Sequence, residues 1–554
     1  MRPPNRILNH DREEAAVREI GITIFSGKAR LILLAGFLLT ITGVPLSQSL
    51  FESASREGDH ANSTSPEATP LRSAHEVDTP SPGGAQKMNL WERFVSLSAS
   101  LKREFKECEK NLEDHSLLRV HVLPSIRTFA VSHLGLGNEK VYLGRDGWLY
   151  YSPDLDHVLS TKAVSAAPHL RGFISPRQAI RELKEELDKR GILLLVVPVP
   201  TKTMIAPQGL SSRSPMVRSA AWNEIFSGLA SDGVAAVNLM PTLSQFRNTS
   251  KGHPLFLKTD THWTPETMSQ CAKAIASTAK GLLGEAGNSK RYEEESSISV
   301  TNKGDLAAML ALPKDSNLYP PEEAILHPVS QDSEPWKPDG HAEILLMGDS
   351  FSRIFSAKDL NWGANSGLPE HLSLSLGKPV DVLAINSGGA NTCRRALARD
   401  PNRLDGKRLL IYEFSARDLT ETNWERITLP DLSKSPSKGM TSDLSHVHLI
   451  SGTIKQATKP PPPGSSPYSD VLISVHLSTT SDGKDCLVFL RGMKGGKLTA
   501  ASQLSQGSSL SLHVRPWSDA EKEYGGINRI EPEGEAAGLP DIYWSDDLSE
   551  PIVK

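Results

Sequence analysis

Glu343-Ile344-Leu345-Leu346-Met347-Gly348-Asp349-Ser350-Phe351 decides the fold of this 554-residue chain. An uninterrupted apolar run ended by glycine is the pattern of a central strand buried on both faces of a parallel sheet. Open α/β sheets carry their chemistry just beyond the carboxyl ends of such strands. Ser350 is expected there. A serine hydroxyl is a poor nucleophile until a base takes its proton during attack, and histidine is the natural base near neutral pH. Lys258-Thr259-Asp260-Thr261-His262-Trp263 supplies one. Asp260 and His262 are two residues apart in what reads as extended chain, so both side chains share a face and the carboxylate can orient the imidazole.

Four further apolar runs surround this one. Ile192–Pro198 follows a helix that opens with Ser175 as cap and Pro176 at its first position and ends at Gly191. Gly233–Leu239 follows a helix over Ala220–Leu229. Pro379–Asn386 runs into Ser387-Gly388-Gly389-Ala390-Asn391, and Arg408–Phe414 is the last. Thr264 and Pro265 open a helix immediately after the histidine. Five buried strands alternating with helices predict a doubly wound α/β sandwich. The residues at the strand ends then become site candidates: Asn386, Gly388, Gly389 and the Ser350 amide as oxyanion donors, and Lys202, after the first strand, facing the site. Val141–Tyr151 predicts a small hairpin turning at Asp146-Gly147. Residues 313–341, rich in proline and polar groups, suggest a surface excursion.

Outside this core the composition changes. Leu31–Phe51 holds no charged residue, and Lys28 and Arg30 precede it. About 20 apolar residues span a bilayer, so 31–51 is expected to be an uncleaved signal anchor, with residues 1–30 a cytoplasmic tail and everything after 51 exported. Residues 52–87, dominated by Ser, Thr, Pro, Gly and charge, read as a flexible tether. Trp91–Leu118 has helical spacing. After a linker at 426–445, residues 446–554 alternate in short segments punctuated by glycine and proline, as in a small all-β domain, with a five-stranded OB-type barrel as one candidate. Its Trp517, Tyr524, Tyr543 and Trp544 either stack on carbohydrate or fill its core. The four cysteines are far apart and have no zinc-ligand spacing, no metal or cofactor is called for, and a net charge of −4 gives no electrostatic case for nucleic-acid binding.

An ordered set of motifs carries a family resemblance: Gly144-Arg145-Asp146-Gly147-Trp148-Leu149, Pro198-Val199-Pro200-Thr201-Lys202, Asp260-Thr261-His262-Trp263, Gly304-Asp305-Leu306, Gly348-Asp349-Ser350-Phe351 and Glu413-Phe414-Ser415-Ala416-Arg417. Over about residues 88–425 the chain resembles the AlgJ/AlgX family of SGNH-hydrolase-like polysaccharide O-acetyltransferases. That resemblance implies that Ser350, His262 and Asp260 form a triad. It implies acetyl transfer, through an acetyl-serine, to hydroxyls of an exported polysaccharide such as alginate. It also implies a membrane-bound O-acyltransferase as acetyl supplier and a place at the periplasmic face of the inner membrane. Residues 446–554 match no module of that family. Two other readings use the same residues: an esterase removing acetyl groups with this triad, and a non-catalytic polysaccharide-binding subunit of an acetylation complex.

Overall fold

The computed structural model describes residues 123–164, 172–210, 216–250, 252–284, 291–313, 315–386, 388–430, 447–463, 466, 468–481, 483–532, 539 and 541–552. The expected anchor, tether and 91–118 helix lie outside these residues, as do 431–445 of the linker and residue 446. Among the described residues, no helix is long and apolar enough to cross a membrane.

The hairpin comes first: β1 (Val141–Leu143) pairs antiparallel with β2 (Leu149–Tyr151), and the chain reverses through Asp146 and Gly147, both with positive φ. Helix α1 (Pro176–Asp188) starts where Ser175 Oγ accepts the Gln178 N–H. Then follow β3 (Leu193–Val199), α2 (Ala220–Ser231), the short edge strand β4 (Ala235–Ala236) and α3 (Pro265–Leu283), which Thr264 caps. One turn of helix, α4 (Asp305–Met309), precedes β5 (Ile344–Gly348), α5 (Ser350–Arg353), α6 (Leu368–Leu376), β6 (Asp381–Ala384), α7 (Gly389–Arg399) and β7 (Leu409–Ser415). The five strands β3 to β7 form one wholly parallel sheet in the order β6-β5-β7-β3-β4.

The apolar runs are continuous because each strand feeds two cores. Leu195, Val197, Ile344, Leu346, Leu409 and Ile411 point to one face, against Met268 and Ile275 of α3 and Leu372 of α6. Leu194, Val196, Leu345, Met347, Leu410 and Tyr412 point to the other, against Ile180 of α1, Ile225 of α2 and Leu397 of α7. This two-faced burial is the doubly wound arrangement. The stretch 313–341 differs from its expectation: it contains strands at Glu322–Leu326 and Val329–Gln331 that pair back to Ile298–Asn302 and Tyr292–Glu294. Each is only three to five residues long and belongs to a two- or three-stranded sheet, too short a stretch to write a clear apolar pattern.

The carboxyl-terminal part is a barrel. Strands β8 (His448–Ala457), β9 (Val471–Thr479), β10 (Asp485–Lys494) and β11 (Ser509–Pro516) precede a short β12 (Asn528–Ile530) and β13 (Ile542–Trp544). The ring β8-β9-β10-β13-β11 closes on β8, and β12 adds outside it beside β9. Ile454, Val475, Leu477, Val488, Leu512 and Val514 fill the interior. Trp517 and Trp544 pack against Phe489, and Tyr524 stacks on Trp544, so most of these aromatics serve packing. Cys271, Cys393 and Cys486 are buried and form no disulfide.

Candidate active site

Ser350 opens α5 directly beyond the carboxyl end of β5, where the apolar run placed it. Asp349 caps the turn: its Oδ1 accepts the Phe351 N–H at 2.8 Å and its Oδ2 accepts the Ser415 N–H from the end of β7 at 3.1 Å. Beneath, Glu413 Oε2 accepts the Asp349 N–H at 3.0 Å and the Ser352 hydroxyl at 2.6 Å. Burial, together with the neighbouring Asp349, pushes the Glu413 carboxyl well above the carboxylate range. Gly348 makes this possible, because a Cβ there would lie 2.6 Å from Glu413 Oε2.

The loop 258–263 crosses to meet this turn. His262 Nε2 is 2.8 Å from Ser350 Oγ, and His262 Nδ1 is 2.6 Å from Asp260 Oδ1. Asp260 Oδ1 also accepts the His262 N–H, while its Oδ2 accepts the Asp305 N–H at 3.0 Å and Trp362 Nε1–H at 2.8 Å. All three members of the array are buried. Burial works against the Asp260 charge, but His262 and these donors hold its carboxyl down at about 2. Burial likewise works against the imidazolium, yet the Asp260 carboxylate wins and the His262 pKa is raised. An activity that needs neutral His262 is therefore expected to fall as pH drops, with its acid limb centred above the ordinary histidine value of about 6.5. The pH profile of ester hydrolysis checks this.

Two further residues complete the surroundings. Asp305 accepts Thr261 N–H at 2.7 Å and the Thr261 hydroxyl at 2.5 Å, and burial and Asp260 lift its pKa to about 7. Gly304, with φ of 79°, lets this segment approach, since a Cβ would lie 2.5 Å from Thr259 O. Neither Asp305 nor Trp362 was given a role from sequence; Gly304-Asp305-Leu306 was visible as a motif, whereas nothing marked Trp362. Asp260, His262 and Asp305 are near enough to one another to suggest a metal. However, all four carboxylate oxygens already accept the protein hydrogen bonds just described, so this is an orienting network. Trp362→Phe removes one charged hydrogen bond of roughly 1.5–3 kcal/mol and is expected to lower kcat/KM roughly tenfold, measured with a small acetyl ester.

The other expected site residues divide. Gly389 starts α7 with φ of 41° and lines the same cleft as Ser350. Gly388 is corrected: its N–H is bonded to Ile385 O at 2.8 Å, so the turn consumes the donor. Asn386 is fully buried at the strand end and is not among the residues that line the cleft. Lys202 does not face the site. Its ammonium is fully buried and donates to Leu149 O at 2.5 Å, Lys258 O at 2.7 Å and Asp260 O at 3.0 Å, over the rings of Trp148 and Tyr150. Burial depresses its pKa to about 8. Lys202 thus ties the hairpin and the β3 end to the Asp260 loop. Lys202→Ala would take one donor from each of three carbonyls, of which Lys258 O keeps the Leu149 N–H, and is expected to cost on the order of 3 kcal/mol in urea unfolding.

The cleft has a volume of about 620 Å³. Tyr151, Thr261, Asp305, Ser350, Gly389 and Arg417 lie on the α/β side, and Tyr468, Asn528, Arg529 and Glu531 on the barrel side. Arg417 is paired with buried Asp154 at 2.9 Å and stacks over Tyr151.

A family model described as "SGNH hydrolase-like domain, acetyltransferase AlgX" matches residues 141–416. The "Probable alginate O-acetylase AlgJ" of Pseudomonas fluorescens is 28% identical over 297 residues, covering 52% of this chain and 70% of that protein. "Alginate biosynthesis protein AlgX" of Pseudomonas aeruginosa is 23% identical, covering 45% of this chain and 52% of its own length. Among solved structures, the O-acetyltransferase domain of Pseudomonas putida AlgJ is similar with a TM-score of 0.40 and 22% identity, over 53% of this chain and 94% of that one. Through residues 141–416, which hold the whole Ser350–His262–Asp260 array, the chain belongs to the AlgJ/AlgX family of SGNH hydrolase-like domains.

Proposed function

We propose that this protein is a serine-dependent O-acetyltransferase acting on an exported, alginate-like polysaccharide. The observation that carries the reading is the continuous relay from Asp260 through His262 to the Ser350 hydroxyl, 2.6 Å and then 2.8 Å. His262 takes the proton from Ser350 as the hydroxyl attacks an acetyl carbonyl. The oxyanion is met by the amides of Ser350 and Gly389, at the first turns of α5 and α7. The leaving group takes the proton from His262, and an acetyl-serine remains. A sugar hydroxyl then loses its proton to His262 and attacks that ester, returning Ser350 and releasing the acetylated sugar. Membership in a family of acetyltransferases and the names of its relatives support the acyl group and the acceptor.

The surroundings belong to the same proposal. The uncharged run at 31–51 anchors the chain, and the enzyme works on the periplasmic face of the inner membrane. A membrane-bound O-acyltransferase supplies acetyl groups there. The test is incubation of the purified protein with an activated acetyl ester, with and without oligouronate. Acetylated sugar and an acetylated Ser350 peptide, both found by mass spectrometry, are the expected result. Acetate release that is the same with and without acceptor, with no acetylated sugar, would mark a hydrolase instead.

A further inference from the structure

Among the described residues, two of the contacts between the barrel and the α/β body fall on helices that begin at the candidate active site. Glu531, just after β12, has only 2% of its side chain exposed. Its Oε2 meets Arg399 Nη1 at 2.6 Å and lies 3.9 Å from Arg395 Nη1, and its Oε1 is held by Arg529 Nε at 2.9 Å. Arg395 and Arg399 are on α7, whose first residue, Gly389, lines the cleft beside Ser350. Arg395 is fixed from its other side by a fork onto Glu425, at 2.7 and 2.8 Å. Arg529 is braced by Phe489 and Trp517, with ring centroids 5.4 and 5.3 Å away. The second contact is at the turn Gly525-Gly526. A Cβ on Gly526 would lie 2.7 Å from the Arg353 guanidinium carbon. Arg353 is the last residue of α5, three residues from the nucleophile.

A barrel that merely bound polymer would need no buried grip on these two helices. We propose that the barrel is a positioning module for the catalytic turn: Glu531 holds α7 through Arg395 and Arg399, and the Gly526 turn seats Arg353 of α5. Barrel docking thereby fixes the two amide donors around Ser350. The inference rests on the acetyltransferase reading above and assigns Glu531 as a positioning residue. It contacts no reacting atom. Its effect passes through the axis of α7 to the Gly389 amide, where displacements approaching 1 Å cost roughly 10²-fold in rate.

The experiment uses the full chain and two probes too small to need a polymer site: p-nitrophenyl acetate turnover, and the rate at which phenylmethylsulfonyl fluoride labels Ser350. Glu531→Gln removes the charge and keeps the shape. Its kcat on the acetyl ester is expected to fall roughly 10- to 100-fold with KM within about twofold, and the labelling rate to fall in parallel. Arg399→Gln is expected to act in the same direction. The double variant should be no slower than the slower single, because both break one contact. Should Glu531→Gln not fold, Arg399→Gln decides by the same criterion. Unchanged kcat and labelling in the variants would overturn the proposal. An inactive, unlabelled wild-type protein would instead remove the acetyltransferase reading itself.

Discussion

Ser350→Ala is expected to reduce both acetyl-ester turnover and sugar acetylation by roughly 10⁶-fold, to the assay floor, because among the described residues no other hydroxyl is bonded to His262 Nε2. The change removes one oxygen that is bonded to His262 Nε2. The turn itself is held by bonds that do not involve this side chain: Phe351 N–H to Asp349 and Asp349 N–H to Glu413. The variant should therefore fold, and binding of oligouronate should persist. Loss of the acetyl-peptide with retained binding is the decisive pairing. Retained sugar acetylation in Ser350→Ala would exclude the covalent route.

Asp260→Asn is expected to cost on the order of 10⁴-fold in kcat, for a reason specific to its donors. In the native site, the carboxylate accepts from His262 N–H and Nδ1 on one oxygen and from Asp305 N–H and Trp362 Nε1 on the other. An amide has only one acceptor. If its oxygen stays with Asp305 and Trp362, its NH₂ turns to His262, which must then carry its proton on Nε2. In that tautomer Nε2 can no longer accept the Ser350 proton. The acid limb should also move down: the carboxylate that raises the His262 pKa is gone, so imidazole stays neutral to lower pH. The kcat and its pH profile check both effects. A loss of less than tenfold would shift the orienting role to Asp305, whose Oδ2 lies 3.8 Å from His262 Nδ1.

What could be read from the sequence follows from range. The five sheet strands were visible because burial on two faces writes an unbroken apolar run, and Ser350 was visible as the hydroxyl two residues beyond the glycine that ends one of them. Asp260 and His262 were visible because their relation is local, two residues in extended chain. Trp362 lies 102 residues from its partner Asp260, and Asp305 lies 45 away. Only the folded loops bring them together. Lys202 misled for a related reason. A lysine after a strand resembles a solvated or substrate-facing charge until three carbonyls from distant segments are seen to surround it. Gly388 misled because a glycine pair at a strand end does not say which amide the turn itself uses. In the barrel the periodicity gave the strands. It could not tell wall from binding face, and Trp517 and Trp544 went to packing.

The grip of Glu531 on Arg395 and Arg399 has a consequence for how the molecule could be divided. Side-chain contacts join barrel and sheet irrespective of the peptide between them. Two polypeptides, one stopping at residue 430 and the other starting at 447, should therefore find each other when mixed and reconstitute acetyl transfer as a bimolecular complex. Raising the salt concentration should weaken that reassembly only modestly, since the pairing charges are shielded from water.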